Sequence, residues 1–292
     1  MSQAVEAAQR AAEAAARTAG IDPTGLKLMR VGENVILLLP GAGAVARIAP
    51  SVALLDSVRR ELRIATWLEG AGLPVVRPLA MEPFVEGQLV VSFWEYLPDV
   101  EATDVVTLAG FLRQLHVIPV PQEFPLGPVQ PFARIAERVE STPALAEADR
   151  QFLRDMQIDL VAQWAQTRFE MAPAVVHGDA HNHNLVRSGD GRIVLLDLER
   201  IGIGQPEWDL TLTALYHECG WYSATDYAAF VDTYGYDVRV SPAWPVLRAI
   251  RMLRMTTWLA VAAADDSVRA EQVRFRLATL RDGTAPAGWD GF

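Results

Sequence analysis

The segment VVHGDAHNHNLV, residues 175–186, places three of the five histidines of the chain, one aspartate and two asparagines within eight consecutive residues. Apolar residues flank these polar side chains on both sides, so short strands are expected to lead into and out of a polar loop. Three explanations fit this composition. The segment is a metal site, a catalytic loop, or a polar turn between two strands.

A metal site would use His177, His181 and His183 together with Asp179 as ligands. Imidazole and carboxylate groups suit Zn²⁺. The four-residue spacing of His177 and His181 puts both side chains on one face only in a helix, and Gly178 between strand-like flanks disfavours a helix. A histidine-metal hydrolase therefore stays open as an alternative to the second explanation.

A catalytic loop accounts for downstream residues as well. Asn184 lies five positions after Asp179, and Asp197 lies thirteen after Asn184. The intervening NLVRS, Gly-Asp-Gly (189–191) and RIVLLD form a hairpin pattern, which would return Asp197 to the neighbourhood of Asn184. Phosphoryl transfer from a nucleotide uses such a trio: a carboxylate that orients the attacking hydroxyl and accepts its proton, and an amide and a second carboxylate that hold Mg²⁺.

The loop and two later segments together form a family signature. HGDAHNHN (177–184), LLDLE (195–199) and GQPEWDL (204–210) resemble the aminoglycoside phosphotransferase and choline kinase superfamily. The resemblance implies an α+β, two-lobed, protein-kinase-like fold with a small β-rich N-terminal lobe and a larger, mostly helical C-terminal lobe. We expect residues 1–96, with a helix over 2–19, to bind the nucleotide, and residues 97–292 to carry the catalytic loop and the substrate site.

The resemblance also implies roles for single residues of the loop and its surroundings. Asp179 corresponds to the catalytic base, and Asn184 and Asp197 correspond to ligands of Mg²⁺. Glu199 takes the place of a polar neighbour of the metal or the substrate. Asp209 resembles the structural aspartate of the family and is expected to cap the following helix, with or without a tie to catalysis.

One departure from the family concerns the cation of the third strand. That strand supplies a lysine to the α- and β-phosphates, but Lys27 is the only lysine of this chain. The basic residue of AVARIA (44–49) is Arg47, and the next helix offers Glu61. The resemblance thus implies that Arg47 contacts the phosphates and pairs with Glu61. The arginine also leaves open a pseudokinase that binds nucleotide without turnover, or an Arg47 and Glu61 that are merely solvated surface residues.

Two further segments are expected to meet the nucleotide. The turn at Gly32 and Asn34 can approach it, because glycine permits close backbone contact. The resemblance implies that backbone groups of Glu95 and Leu97, in a hinge over residues 94–100, meet the edge of the base.

The charge balance limits the partners. The chain has 26 basic and 36 acidic side chains, and residues 100–292 carry 17 and 25 of them. This acidity argues against a nucleic acid and is compatible with a cationic ligand. The segment HECGWYSATDY (217–227) offers the carboxylates Glu218 and Asp226 beside the aromatic rings of Trp221 and Tyr222. Such groups can hold a cationic or sugar-like acceptor, or can simply pack. The expected reaction transfers the γ-phosphate of ATP or GTP to a hydroxyl of a small molecule, with aminoglycosides and other antibiotics among the candidates.

The expected compartment is the cytoplasm. Cys219 is the only cysteine, so no disulfide can form within the chain. The alanine-rich N-terminus lacks the features of a signal peptide, and no run reaches the ~18 to 20 apolar residues of a membrane span. We expect no membrane partner, and the sequence makes no prediction of oligomeric state.

Apolar periodicity predicts the remaining elements. LKLMRVGENVILLLPGAGAVARIA (26–49) is expected to form two strands around residues 40–43. Further strands are predicted over 75–79 and 88–93, and helices over 52–70, 104–116, 131–140, 144–169, 209–219, 224–234 and 243–281.

Overall fold

The computed structural model describes residues 3–142, 145–264 and 266–291. Helices and strands both contribute to the fold. The helices are α1 Gln3–Ala19, α2 Leu55–Gly70, α3 Val105–Leu115, α4 Ile135–Ser141, α5 Glu147–Gln166, α6 Glu207–Glu218, α7 Ala224–Tyr234, α8 Trp244–Ala262 and α9 Ser267–Asp282. The strands are β1 Lys27–Val31, β2 Val35–Leu39, β3 Ala44–Ala49, β4 Phe84–Glu86, β5 Leu89–Glu95, β6 Glu101–Ala102, β7 Ala174–Val176, β8 Leu185–Arg187, β9 Ile193–Leu195 and β10 Gly202–Gly204.

The chain packs as two compact units. The first comprises Met1–Thr103 and His183–Glu199, and the second comprises Asp104–Asn182 and Arg200–Phe292. The first unit is rich in strands and the second is mostly helical. The segment with Asn184 and Asp197 belongs to the first unit, although it follows Asp179 in the chain. The division into functional lobes at residue 96 remains a prediction.

The first unit is built on a five-stranded antiparallel sheet of order β1-β2-β3-β5-β4. Helix α1 packs against one face of this sheet. Alanine has the highest helix propensity, and its short side chain allows close approach to the strands. The buried alanines of α1 in this core are Ala8, Ala11, Ala12, Ala15 and Ala16.

The alternation of β3 separates that core from a polar face. Ala44, Ala46 and Ile48 are buried in the core against α1. Because successive side chains of a strand point to opposite faces, Val45 and Arg47 lie on the other face of the sheet. Arg47 is therefore directed away from α1.

A second, three-stranded sheet of the first unit has the order β6-β8-β9. Strands β8 and β9 form the predicted hairpin, whose turn is closed by bonds from Gly191 N to Ser188 O (2.7 Å) and from Ser188 N to Arg192 O (2.9 Å). Gly191 has φ 87°, which glycine adopts without strain. Thr103 Oγ1 donates to Leu185 O at 2.8 Å and anchors the hairpin within its unit.

Helix α8 is central to the second unit and packs against α4, α5, α6 and α9. Leu247, Ile250 and Leu253 are buried along it. Arg251 and Arg254 are buried as well, at 1% and 6% exposure, which requires polar partners for both guanidinium groups. The short antiparallel pair β7 and β10 leads into the loop that carries Asp179.

Most predicted elements form, with three differences. The 26–49 segment contains three strands, because a turn at Gly32 divides its first apolar run. Residues 75–79 make only isolated bridges at Val75 and Pro78, because Pro74 and Pro78 have no N–H for a ladder. The predicted helix over 243–281 is two helices, and Asp266 caps the second by accepting from Val268 N and Arg269 N. Residues 2, 144 and 265 of the predicted helices lie outside the described residues.

Candidate active site

Asp209 fixes the loop that carries Asp179 in the second unit. Its carboxylate is fully buried and accepts from the backbone N–H of His177 (2.6 Å) and of Gly178 (2.8 Å). The ring Nε2 of His116 lies 3.1 Å from the same carboxylate. Burial would raise the pKa of Asp209, but these partners hold it below the ordinary value.

The helix-capping role expected for Asp209 is therefore wrong. Helix α6 begins at Glu207, its N-cap is Pro206, and no side chain caps it. Asp209 lies inside the first turn, where its carboxylate faces the loop. The structure thus ties Asp209 to the loop of Asp179 and separates it from helix capping.

Gly178 gives the loop its turn. It has φ 84°, and a Cβ built on it would lie 2.5 Å from Arg200 O. The indole Nε1 of Trp208 donates to Gly178 O at 3.0 Å. Glycine is required here both for the left-handed backbone conformation and for the close approach of Arg200.

Gly178→Ala should therefore destabilise the protein more than the same change at a glycine with open space around it. Gly220 has the same φ of 84°, and a Cβ added to it would meet nothing within 4 Å, so Gly220→Ala is the matched control. We expect G220A to cost about 1 kcal/mol from backbone strain, and G178A to cost a further ~1 to 2 kcal/mol from the clash. Urea unfolding of both variants measures the difference, and equal losses would contradict a steric requirement at residue 178.

Asp179 is held by arginines of its own unit. Arg251 Nη1 lies 3.1 Å from Oδ1, and Arg200 Nε lies 3.7 Å from Oδ2. Burial would raise the pKa of Asp179, but Arg251, Arg200 and Arg254 lower it to about 2. The backbone N–H of Asp179 donates to His177 Nδ1 at 3.2 Å, so His177 braces the loop. Asp179 is a fixed and fully ionised carboxylate.

Asn184 and Asp197 lie at the base of the hairpin in the first unit. Leu196 N donates to Asn184 O at 2.8 Å, which extends the pairing of β8 and β9 by one residue. Asp197 follows directly and has φ 55°, a left-handed conformation that is uncommon for residues other than glycine. Strained backbone of this kind is concentrated at functional sites.

Arg47 and Glu61 form the predicted ion pair within the first unit. Arg47 Nη1 lies 2.6 Å from Glu61 Oε1, and Arg47 Nη2 lies 3.4 Å from Glu199 Oε2. Asn34, with its amide oxygen turned to Arg47, accepts from Nε and Nη2 at 2.9 and 3.1 Å. Four of the predicted site residues are thus brought together around one guanidinium group.

Carboxylates outnumber arginines in this cluster. Glu61, Asp197 and Glu199 all act on Arg47, whose pKa they raise against the opposing effect of burial. Burial raises the pKa of Glu61 to about 7, and Asp197 and Glu199 add to that rise while Arg47 opposes it. Arg60 is the second arginine here and donates to Glu199 O at 3.1 Å. Asp197 and Glu199 balance the two arginines, and Glu61 adds negative charge to the cluster only where it is ionised.

The remaining nucleotide candidates lie in the same unit. Gly32 N donates to Asn34 O at 3.0 Å and closes the predicted turn. Glu95 ends β5, and its backbone N–H donates to Arg77 O at 2.9 Å. Its carboxylate is held by Arg77 at 3.0 Å and Arg192 at 3.1 Å. Leu97 follows two residues later.

The predicted acceptor residues of the second unit have structural partners. Glu218 pairs with Arg248 at 2.5 Å, and Asp226 forms a capping box with Ser223 at the start of α7. Trp221 Nε1 donates to Trp289 O at 2.5 Å. The contact of these residues with an acceptor stays a prediction.

No group of three or more His, Cys, Asp or Glu side chains is arranged to hold a metal ion in the described part of the chain. The described part includes His177, His181, His183 and Asp179, the ligands of the alternative metal site. Nor does any helix among those described have the length and apolar character needed to cross a bilayer.

The comparison with known proteins identifies the family. The sequence profile of the phosphotransferase enzyme family matches residues 30–250, which is more than half of the chain. The chain belongs to the phosphotransferase enzyme family. Among curated protein sequences there is no significant match to it.

Solved structures with this fold are similar along almost their whole length. The amicoumacin kinase hAmiN in complex with AMP-PNP, Ca²⁺ and Ami has a TM-score of 0.73 at 14% identity, with 99% of this chain and 98% of that chain covered. The GDP and kanamycin complex of APH(2")-IIIa has a TM-score of 0.64 at 17% identity, covering 93% and 98%. Choline kinase LicA from Streptococcus pneumoniae has a TM-score of 0.60 at 15% identity, covering 93% and 99%. These likenesses confirm the predicted α+β, kinase-like fold.

Several residues of this phosphotransferase that hold the loop were not predicted. Arg251 and Arg200 contact Asp179, and His116 contacts Asp209. Burial and the charge of Asp179 both raise the pKa of Tyr216, so Tyr216 lies within electrostatic reach of that carboxylate. A sequence signal existed for Arg251, since WPVLRAIRMLRM (244–255) carries charges inside an apolar helical run. His116 and Tyr216 carry no such signal.

Proposed function

We propose that this phosphotransferase transfers the γ-phosphate of ATP or GTP to a hydroxyl of a small molecule. Asp179 orients the hydroxyl and accepts its proton, Asn184 and Asp197 hold Mg²⁺, and Arg47 contacts the phosphates. The complexes of hAmiN with AMP-PNP and Ca²⁺ and of APH(2")-IIIa with GDP support a nucleotide and a divalent metal as parts of the reaction.

The proposal depends mainly on two properties of Asp179, its fixed backbone and its ionised carboxylate. Its backbone is fixed through Asp209, and its carboxylate is kept ionised, with a pKa of about 2. Phosphoryl transfer demands little covalent chemistry from the protein and much positioning. A rigid, ionised carboxylate that accepts a hydrogen bond from the attacking hydroxyl meets that demand.

The donor set of the first unit fits Mg²⁺. Mg²⁺ prefers oxygen ligands, keeps several waters and takes few protein ligands. Asn184 and Asp197 supply an amide and a carboxylate, and carboxylates outnumber arginines in the cluster around Arg47. When bound, the ion would neutralise negative charge on the phosphate oxygens.

Arg47 serves in place of the strand lysine of the family. Its pairing with Glu61 at 2.6 Å fixes the guanidinium group on the polar face of the sheet. A guanidinium fork can bind phosphate oxygens bidentately, and it keeps its charge at every working pH. We place the turn at Gly32 and the carbonyl of Glu95 beside the nucleotide as well.

Arg47→Met should raise the Kd for Mg-ATP roughly ten-fold or more, because a charge-assisted phosphate contact is lost. Arg47→Lys should recover part of the affinity, since an ammonium restores the charge without the fork. Arg63→Met removes an exposed arginine from the neighbouring α2 and is the matched control, with an unchanged Kd. Calorimetric titration with Mg-ATP measures all three. A Kd for R47M equal to that of the wild type would remove Arg47 from the phosphate contact.

The acceptor is a hydroxylated small molecule, and aminoglycosides and other antibiotics are the candidate classes. The charges that act most strongly on Asp179 within its unit include the cations Arg251, Arg200 and Arg254. Glu218 and Asp226, the carboxylates expected to attract a cation, are engaged with Arg248 and Ser223. These contacts favour an acceptor with little positive charge over a polycationic aminoglycoside.

A nucleotide-consumption screen tests the function. Mg-ATP and Mg-GTP are offered with hydroxylated amines, sugars and antibiotics, and phosphorylated products are identified by mass. We expect transfer to at least one acceptor. Nucleotide binding with no transfer would favour the pseudokinase, and stoichiometric zinc in the purified protein, with activity that survives Asn184→Ala, would favour a histidine-metal hydrolase.

A further inference from the structure

Helix α8 presents three arginines at intervals of three residues, and each holds a different part of the second unit. Arg248 binds Glu218, at the end of α6. Arg254 Nη1 donates to Pro131 O at 2.9 Å, before α4. Arg251, between them, reaches the loop that carries Asp179. The three contacts make α8 the element against which that loop is set.

Arg251 makes three hydrogen bonds to the loop and its surroundings. Nη1 donates to Asp179 Oδ1 at 3.1 Å, and Nη2 donates to Gly178 O at 3.2 Å and to Trp208 O at 3.0 Å. A planar guanidinium with several N–H groups can serve three acceptors in fixed directions, which an ammonium on a flexible stem cannot do. The side chain thus ties the carboxylate of Asp179 to the adjacent main chain.

The indole of Trp208 fixes the plane of this guanidinium. The Arg251 Cζ lies 3.7 Å from the centre of the Trp208 ring, and Trp208 Nε1 donates to Gly178 O. Arg251 is only 1% exposed. Burying a cation is costly unless an opposite charge compensates it, and Asp179 is the carboxylate that Arg251 contacts. Both partners are consequently held in one geometry.

We infer that Arg251 is a positioning residue for Asp179, an inference that rests on the proposed role of Asp179 as the base. Arg251 fixes the direction of the carboxylate and keeps it ionised. It does so from α8, which contains none of the segments that resemble the family. The Nε of Arg200 lies farther from the same carboxylate, at 3.7 Å, and adds positive charge beside it. Arg251 makes a directional hydrogen bond to it at 3.1 Å.

The titration of Asp179 tests this assignment without any need for turnover. Protein labelled with carbon-13 at the aspartate carboxyl groups is followed by NMR from about pH 7 to about pH 4, around the ordinary aspartate pKa of ~3.9. Asp179→Asn identifies the signal. In the wild type the signal should keep its ionised position throughout, because Arg251, Arg200, Arg254 and His181 oppose the effect of burial on its pKa.

In Arg251→Met the signal should begin to move towards its protonated position at the acidic end of that range, because the strongest charge that opposes the effect of burial on the pKa of Asp179 is removed. Arg251→Lys should restore ionisation in part. Arg248→Met, on the same helix and paired with Glu218, is the matched control and should titrate like the wild type.

A folded R251M protein whose Asp179 stays ionised over the whole range would overturn the inference and leave Arg251 as a packing residue of Trp208. If R251M does not fold, Arg251→Gln gives the same comparison with a polar side chain. A failure of phosphoryl transfer with every acceptor would overturn the proposed function instead, and the titration would still report on Arg251.

Discussion

Asp179→Asn should lower the kcat of phosphoryl transfer by roughly 10²- to 10⁴-fold, the usual contribution of a positioned acid or base. The amide keeps the size of the side chain but cannot accept the proton of the acceptor hydroxyl. The Kd for Mg-ATP should stay within about a factor of three, because the proposed phosphate and metal contacts come from other residues. Steady-state kinetics with an acceptor from the screen and calorimetric titration with Mg-ATP measure the two quantities.

Asp232→Asn is the matched control for that experiment. It also removes one carboxylate from the second unit, but Asp232 is an exposed residue of α7 outside the predicted site. Its kcat should remain near that of the wild type. Turnover by D179N at the wild-type rate would refute the role of Asp179 and, with it, the proposed mechanism.

Asp209→Ala should lower the free energy of unfolding by about 3 to 5 kcal/mol, the range for removing one partner of a buried polar pair. The change leaves the N–H groups of His177 and Gly178 without their acceptor in a fully buried environment. Asp209→Asn keeps an acceptor oxygen and should lose less. Urea unfolding provides the measurement, and Asp159→Ala at an exposed position of α5 is the control, within about 0.5 kcal/mol of the wild type.

The Asp209→Ala penalty should depend on pH in one direction. The folded-state pKa of Asp209 lies below its ordinary value, so its stabilisation is fully present above ~3.9 and is lost as pH falls through the lower folded value. The difference in free energy of unfolding between D209A and the wild type should therefore stay constant near neutral pH and become smaller in acid. A gap that narrows towards alkaline pH would contradict the ionised state of Asp209.

The sequence predicted the secondary structure where residues close to one another in the chain determine it. Helix α2 and the β8–β9 hairpin follow from apolar spacing and from the Gly-Asp-Gly turn. The Arg47–Glu61 pair followed from the resemblance, because Arg47 is the only cation of β3. The fold class was predictable for the same reason, because the motif spacings belong to one family.

Contacts that depend on distant parts of the chain were not predictable. Asp209 was expected to cap α6, since Asp near a helix start usually does, yet its carboxylate turns to a loop that lies some thirty residues earlier. Arg251 reaches the same loop from α8, and His116, at the end of α3, contacts the carboxylate of Asp209 that holds the loop. Their sequence separation from Asp179 carries no local pattern, because packing of the whole helical unit brings them there.

The main-chain bonds to Asp209 bear on how this enzyme can diversify. The carboxylate binds peptide N–H groups, which every residue but proline possesses, so neighbouring side chains can drift without disturbing the backbone of residues 177 and 178. Substitutions in the surrounding helices can then change the residues near the loop while the backbone of residues 177 and 178 keeps its geometry. Point mutations can therefore accumulate around the loop without loss of its conformation.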